Sequence, residues 1–370
     1  MAVRVLNLFT IMDRGGAETM CMNLYRHIDR EQVQFDFLVY YPERGQYEDE
    51  IEKLGGKVYR IPKLHPRSLI AHIRGARAFF REHPEYQIVH DHMGSNGVFI
   101  LWAAKMAGIK TRIYHSHAAR EPIIADTLKL TCRRLIYRTL DAMALRLSNY
   151  FFACGPWAAE AYKKGKKVHV LSNAIDIEKF RFNEAIRERK RKELGCQNKM
   201  IIGNVARIDA LKNQTFAVEI IRALVKKRQD IELWLVGDGI QKNEVRELAK
   251  AKGVLEYIRF LGVRSDVSEL LQAMDVFLFP SINEGLPVSC IEAQAAGLPC
   301  VFSDGFDPST VVVSDNCRVL SLSEPPQVWA EAIIKMSGRE RRDTADTVRE
   351  EGYDIKRTSE YMRKFYLSKA

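Results

Sequence analysis

Short runs rich in Val, Ile, Phe and Tyr recur along the chain, each closed by polar or turn residues and most followed by a longer stretch of helical pattern. In the first half these runs are VRVLNLFTI, VQFDFLVY, KVYRI, IVHDHM, TRIYHS and YFFACG, and they read as strands. AETMCMNLYRHI, SLIAHIRGARAFFREH and NGVFILWAAKMAG lie between them and read as helices. The second half repeats the alternation, with MIIGNVARI, IELWLVGDG, IRFLGV, VFLFPS and PCVFSD as strands. Several runs are apolar at consecutive positions, the pattern of parallel strands buried on both faces. This predicts an α/β fold of two doubly wound, Rossmann-like domains. Ligands of such sheets bind outside the carboxyl ends of the strands, and a cleft between two such domains is the expected place for a site.

The first domain is expected over residues 1–175 and the second over 176–350. The linker is placed just after VHVLSNAID, where the very polar stretch NEAIRERKRKELG begins. A last segment, 351–370, holds the helix DIKRTSEYMRKFYL, whose Tyr361, Phe365 and Tyr366 are available to pack on another element.

The 370-residue length suits two domains. No apolar run approaches the ~20 residues of a membrane-spanning helix, and MAVRVLNLFTIM reads as a first strand rather than a signal segment. Seven scattered cysteines with no C-x-x-C argue for reduced thiols in the cytoplasm, not a disulfide frame or a zinc site.

The net charge of +10 is unevenly placed. Through Ser172 there are 26 Lys and Arg against 17 Asp and Glu; beyond it there are 31 against 30. The surplus suggests an anionic partner for the first half: a lipid surface, a phosphate-bearing substrate or nucleic acid. A generic soluble basic face accounts for it equally well. Nucleic acid loses ground because no aromatic-plus-basic stripe of the stacking type occurs. In TLKLTCRRLIYRTLDAMALRLS, Lys129, Arg133, Arg134 and Arg138 cluster, while Leu128, Leu135, Ile136, Leu140, Met143 and Leu147 line much of another face. Such a helix suits an anionic membrane surface, or an ordinary core-packed stripe.

Candidate chemistry begins at EGLPVSCIEAQAAG, directly after the strand VFLFPS. Gly285 permits a tight turn and close backbone approach. Pro287 suits the first turn of a helix that stops at Gly297. The free N–H groups at that helix start form a ready phosphate site. Glu284 precedes the helix and Glu292 lies in its second turn, so the two can touch different parts of one ligand. Carboxylates there suit sugar or ribose hydroxyls. Read alone, the segment equally fits two exposed helix-end glutamates. In NVARIDALKNQ, Arg207 and Lys212 follow another strand, Arg binding phosphate as a fork and Lys as a point charge. DRGGAE sets Gly15 and Gly16 between the first strand and helix, where backbone N–H groups can approach a phosphate. It lacks the full G-x-G-x-x-G, and no P-loop occurs, so NAD and ATPase readings recede. HDH (His90, Asp91, His92) and HSH (His115, His117) each end a strand. Alternate residues share a strand face, so each pair could converge on a metal, but one site histidine among polar cleft-lining neighbours is the preferred reading.

Taken in order, DRGGAE, YHSHA, SNAID, NVARIDALKNQ, VGDG, FLGVRSDVSELLQAMDVFLFPS and EGLPVSCIEAQAAGLP resemble glycosyltransferase family 4, the retaining enzymes of GT-B fold. The resemblance covers essentially the whole chain and is greatest to bacterial capsule and exopolysaccharide transferases. It implies that Glu284 lies beside the donor sugar and Glu292 on the nucleotide ribose. It places Arg207 and Lys212 on the diphosphate, with Gly16, next to Gly15, facing the phosphates. Leu286, Pro287 and Val288, following Gly285, match the backbone that caps them. His115 matches an active-site histidine near the sugar, with His117 as its partner and His92 lining the cleft or acceptor side. Asp238 and Gly239 match the turn bordering the base pocket. Ala206 departs from the glycine common before the arginine.

The activity implied is transfer of a hexosyl group, with retained configuration, from a UDP-linked sugar to a saccharide acceptor carried on polyprenyl diphosphate. The basic first half would be the acceptor domain, at the inner face of the cell membrane, and the last helix would cross back to it. No cofactor or metal is implied, and the chain has no Asp-x-Asp to hold a metal diphosphate. Two alternatives stand beside this reading: a metal-dependent hydrolase built on the histidine pairs, and a GT-B nucleotide-sugar 2-epimerase.

Overall fold

The computed structural model describes residues 2–117, 128–160, 162 and 165–370, with backbone alone at 128–133. Among them, every strand pair is parallel, as the consecutive apolar runs require. The chain forms two compact units, residues 1–174 with 355–370, and residues 175–354. It divides one residue before and four residues after the boundaries expected from the sequence.

The first unit holds β1 (Val3–Leu8), β2 (Val33–Val39), β3 (Val58–Arg60), β4 (Ile88–Asp91), β5 (Thr111–Ser116), β6 (Tyr150–Ala153) and β7 (Val168–Val170). Their order is β3-β2-β1-β4-β5-β6-β7. The second holds β8 (Met200–Val205), β9 (Ile231–Val236), β10 (Ile258–Gly262), β11 (Val276–Phe279), β12 (Cys300–Ser303) and β13 (Cys317–Leu320), ordered β10-β9-β8-β11-β12-β13. Each sheet therefore reverses its winding once, between β1 and β4 and between β8 and β11. Such reversals are where open α/β sheets receive ligands. All of β2 is buried, and its one charge is satisfied there: Asp36 accepts from Arg4 Nε at 2.6 Å and from the Tyr86 hydroxyl at 2.6 Å.

The polar stretch taken as a linker is a helix of the second unit, Glu184–Leu194. Asn183 caps it by accepting from Ile186 N–H at 3.1 Å. It has no apolar stripe to read. Lys190 is buried instead, Arg191 partly so, and their heads are paired: Lys190 lies 2.9 Å from both Asp266 and Glu269, and Arg191 lies 3.0 Å from Asp275. The two edge strands β7 and β13 went unseen because they are three and four residues long and, at Val170, Arg318 and Val319, exposed.

The last helix, Ile355–Leu367, belongs to the first unit. Met362 and Tyr366 are buried there, Tyr366 edge-on to Phe35 with centroids 5.8 Å apart, and Phe365 packs on Phe152 at 5.1 Å. Tyr361 stays largely exposed and reaches His169 through its hydroxyl at 2.6 Å. In the basic helix Leu128–Leu147, the expected apolar face divides. Ala144 and Leu145 are buried, while Leu135 and Ile136 are 67% and 59% exposed and Met143 is exposed as well. The side chains of Leu128, Lys129 and Arg133 lie outside the described residues.

Candidate active site

β8 and β11 are hydrogen-bonded neighbours, so the loops leaving their carboxyl ends meet. After β8 the chain turns through Arg207–Asn213 into the helix Gln214–Val225. Asp209 shapes this loop. One carboxylate oxygen accepts from Leu211 N–H at 3.0 Å and Lys212 N–H at 3.2 Å, and the other accepts from Arg207 Nε at 2.6 Å. Asn213, in left-handed conformation at φ 55°, donates from its amide to the Pro280 carbonyl at 3.2 Å, tying the loop to the end of β11.

Lys212 and Glu284 form an ion pair there, both side chains mostly buried. Ser281 Oγ lies 2.6 Å from Glu284 Oε1 and 2.7 Å from the Leu211 carbonyl, its one proton serving either. Glu284 N–H donates to the Gly305 carbonyl at 2.9 Å, which holds the backbone beneath the carboxylate. Lys212 also sits 5.6 Å from the Phe279 ring centroid. The lysine thus faces a carboxylate and an aromatic ring, and shares Glu284 Oε1 with the Ser281 hydroxyl.

The helix following Glu284 runs Val288–Ala295. Pro287 is its extended N-cap residue rather than the first-turn proline expected, and Leu286, Pro287 and Val288 are buried around that end. No side chain caps it among the described residues; Cys290 N–H donates to the Pro287 carbonyl at 3.1 Å, which leaves the N–H groups of Val288 and Ser289 to face an anion. Gly285 leads into it, and Glu292, in the second turn, is partly buried.

After β9 the turn at Asp238 and Gly239 packs directly on the arginine loop, with Ile208 N–H donating to the Asp238 carbonyl at 3.0 Å. A Cβ on Gly239 would come within 2.1 Å of the Ile208 carbonyl, and one on Gly237 (φ +136°) within 2.0 Å of Ala206 O. Neither position admits a side chain. Asp238 binds Lys242 at 2.8 Å, and that contact with its own Gly239 N–H holds its carboxyl below the usual range.

The second unit therefore brings together Arg207, Lys212, Asp238, Gly239, Glu284 and the Leu286–Val288 helix start. Asp209 and Ser281 were not singled out from the sequence. Asp209 does stand inside the RIDALK stretch between the two basic residues, a signal that was there to be used.

In the first unit, Gly15 caps the helix Gly16–His27. A Cβ added at Gly16 would meet nothing within 4 Å, whereas one at Gly15 would collide with Glu18. The histidines lie where β4 and β5 run side by side. His90 and His92 stack at 4.1 Å, as do His115 and His117. Across the strands, His90 Nε2 meets His115 Nδ1 at 3.2 Å and His92 Nδ1 meets His117 Nε2 at 2.9 Å. Burial pushes His90 and His117 down to about 3 and His92 and His115 well below their ordinary value, so all four rings are neutral near pH 7. Ring nitrogens of His90, His92 and His115 come within 4.8 Å of one another, the donors a metal site would use. Both nitrogens of His90 are already hydrogen-bonded, however, Nδ1 to the Tyr366 hydroxyl at 2.7 Å. Asp91 takes no part: it points to the other strand face and accepts from Met93 N–H at 3.0 Å, and burial pushes its carboxyl up to about 8.

A basic pair, an uncapped helix start and the Glu284 carboxylate, at the turning point of a doubly wound sheet, are chemically suited to a phosphorylated ligand. Comparison with known proteins agrees. Residues 14–179 match the family described as Glycosyltransferase Family 4, and residues 186–354 match Glycosyl transferases group 1. EpsF of Bacillus subtilis strain 168, a glycosyltransferase by name, is 36% identical over 95% of this chain and 93% of its own. The UDP-Gal:alpha-D-GlcNAc-diphosphoundecaprenol alpha-1,3-galactosyltransferase of Escherichia coli is 26% identical over 82% of this chain and 78% of its own. The crystal structure of Anabaena HepE in complex with UDP-glucose superposes with a TM-score of 0.80 at 19% identity, covering 99% of each chain. The chain belongs to the family 4 glycosyltransferases and has their two-domain GT-B fold.

Proposed function

We propose that this glycosyltransferase moves a hexosyl group from a UDP-linked sugar, with retained configuration, to a saccharide carried on polyprenyl diphosphate, in the making of a surface polysaccharide. The observation that carries the reading is the Lys212–Glu284 pair set beside the uncapped start of Val288–Ala295. When a nucleotide sugar binds, Lys212 exchanges Glu284 for the diphosphate, and Glu284 is released to accept from hydroxyls of the donor sugar. The bond between the anomeric carbon and the phosphate oxygen breaks, and negative charge gathers on the departing diphosphate. On this reading Lys212, Arg207 and the helix N–H groups take up that charge, the most productive place for fixed dipoles and cations. These groups offset the charge without a metal ion. The acceptor hydroxyl attacks from the side the diphosphate leaves, and the departing phosphate takes its proton. Support for UDP and for a lipid-linked acceptor comes from HepE, crystallised with UDP-glucose, and from the E. coli relative named for both.

The test is thermal stability with UDP, GDP and ADP, each with and without chelator. UDP alone is expected to stabilise, by about 2.7 kcal/mol at ~100 times its dissociation constant, with chelator making no difference. No response to any nucleotide, with stability lost on chelation, would favour the hydrolase built on the histidines. Release of a 2-epimer without any acceptor would favour the epimerase.

Membrane contact is part of the proposal. Among the described residues no helix is long and apolar enough to cross a membrane. The exposed Leu135, Ile136 and Met143 stand on a helix that also carries exposed Arg138 and half-buried Arg134, the composition of a helix lying on an anionic surface. On this reading the protein works in the cytoplasm, at the inner face of the cell membrane. Anionic liposomes at low salt are expected to retain the protein and to release the variant with Arg134→Glu and Arg138→Glu. Equal retention of both would remove this helix from the contact.

A further inference from the structure

We propose that Tyr366 and Asn7 are positioning residues that fix the tautomers of two histidine pairs, so that His115 presents an N–H and His117 a lone pair to a single sugar hydroxyl. The inference rests on the glycosyltransferase reading and says what these two histidines recognise.

The first pair starts from the last helix. Tyr366 is fully buried, and its hydroxyl lies 2.7 Å from His90 Nδ1. The phenol proton has no other acceptor among the described residues, so Tyr366 donates and His90 Nδ1 accepts. The proton of neutral His90 is then on Nε2, which donates to His115 Nδ1 at 3.2 Å. The proton of His115 is in turn on Nε2, a buried atom with no partner among the described residues.

The second pair starts from β1. The Asn7 amide nitrogen lies 3.4 Å from the carbonyls of Val5 and Asp36, which only accept. Its oxygen therefore faces His92 Nε2 at 3.3 Å and must receive a proton from it. His92 Nδ1 is left as an acceptor and takes the His117 Nε2 proton at 2.9 Å. His117 Nδ1 then carries a bare lone pair, again buried and without a partner. Burial keeps all four rings neutral, so no second proton blurs either assignment.

One donor and one acceptor thus end on rings stacked at 4.1 Å. A hydroxyl uses both, because it donates one hydrogen bond and accepts others. A carboxylate would leave the His117 lone pair opposed, and an ammonium would leave the His115 N–H opposed. The arrangement selects a neutral hydroxyl, the group a sugar offers in quantity. It also explains why a tyrosine is buried with its hydroxyl against a histidine at the end of the chain.

The decisive measurement is long-range ¹H–¹⁵N NMR of the full chain labelled at histidine, near neutral pH. His90, His92, His115 and His117 are all expected as neutral Nε2–H tautomers. Tyr366→Phe keeps the ring and removes the proton, and is expected to move His115 to a mixture of both tautomers. In the same variant kcat should fall about five- to tenfold, the worth of one misplaced hydrogen bond, while UDP affinity changes less than twofold. His115 found as Nδ1–H in the wild-type spectrum overturns the inference without need of any variant. So do unchanged tautomers in Tyr366→Phe, and so does an Nε2–H pattern that emerges only after chelation, which would mean a metal on these rings. A wild-type chain that ignores UDP would instead sink the transfer reading and leave the tautomers standing.

Discussion

Lys212→Ala is expected to lower kcat by about a hundred- to a thousandfold, the usual cost of removing one fixed group from developing charge. Two effects add in this variant. The departing diphosphate loses one of two side-chain cations, and Glu284 is left as an unpaired carboxylate close to the same oxygens. Among the described residues only Ser281 would then remain to it, and that hydroxyl is shared with the Leu211 carbonyl. Lys212→Arg should recover part of the rate, since it restores the charge but with a planar fork in place of a compact ammonium. Single-turnover rates at saturating donor, together with melting temperature, separate loss of chemistry from loss of fold. A Lys212→Ala enzyme within threefold of the wild type would assign the charge to Arg207 and the helix start alone.

Glu284→Gln should reduce transfer more than tenfold while leaving the fold intact. The amide matches the carboxylate in size, and the backbone beneath it stays tied to Gly305. What changes is chemical: a group that accepts at both oxygens becomes one that accepts at one end and donates at the other. It can no longer form an ion pair with Lys212, nor accept from hydroxyls at both ends. A variant that loses stability but transfers at full rate would make Glu284 a structural counter-ion only. Because the two side chains touch, the double variant with Lys212→Ala should cost less than the product of the single losses.

Both sheets were legible because their strands are apolar at consecutive positions, as in MIIGNV and VFLF, and because each is followed by a helical pattern. What escaped did so for physical reasons. The helix Glu184–Leu194 is held by ion pairs to Asp266, Glu269 and Asp275, and pairing across 70 to 90 residues leaves no local period. β7 and β13 are short and lie at exposed edges. For the site, Glu284 and Lys212 could each be named from local context, but not their contact. That depends on β8 and β11 being neighbours, a matter of winding order rather than of residue pattern. The same holds for Tyr366 and His90, 276 positions apart and 2.7 Å from each other.

The second unit interrupts the first: the chain leaves one sheet after Ala174 and returns to it only at Ile355. On the ribosome this sets an order of events. The stretch 175–354 is contiguous and has all its residues in hand before synthesis ends, whereas the first unit must wait for the last helix to fill the space beside Phe35 and Phe152. Domains fold as units while synthesis proceeds, so the half that is begun first is finished last. A chain stopped before Ile355 would hold all of residues 175–354 joined to a first unit that lacks Tyr366.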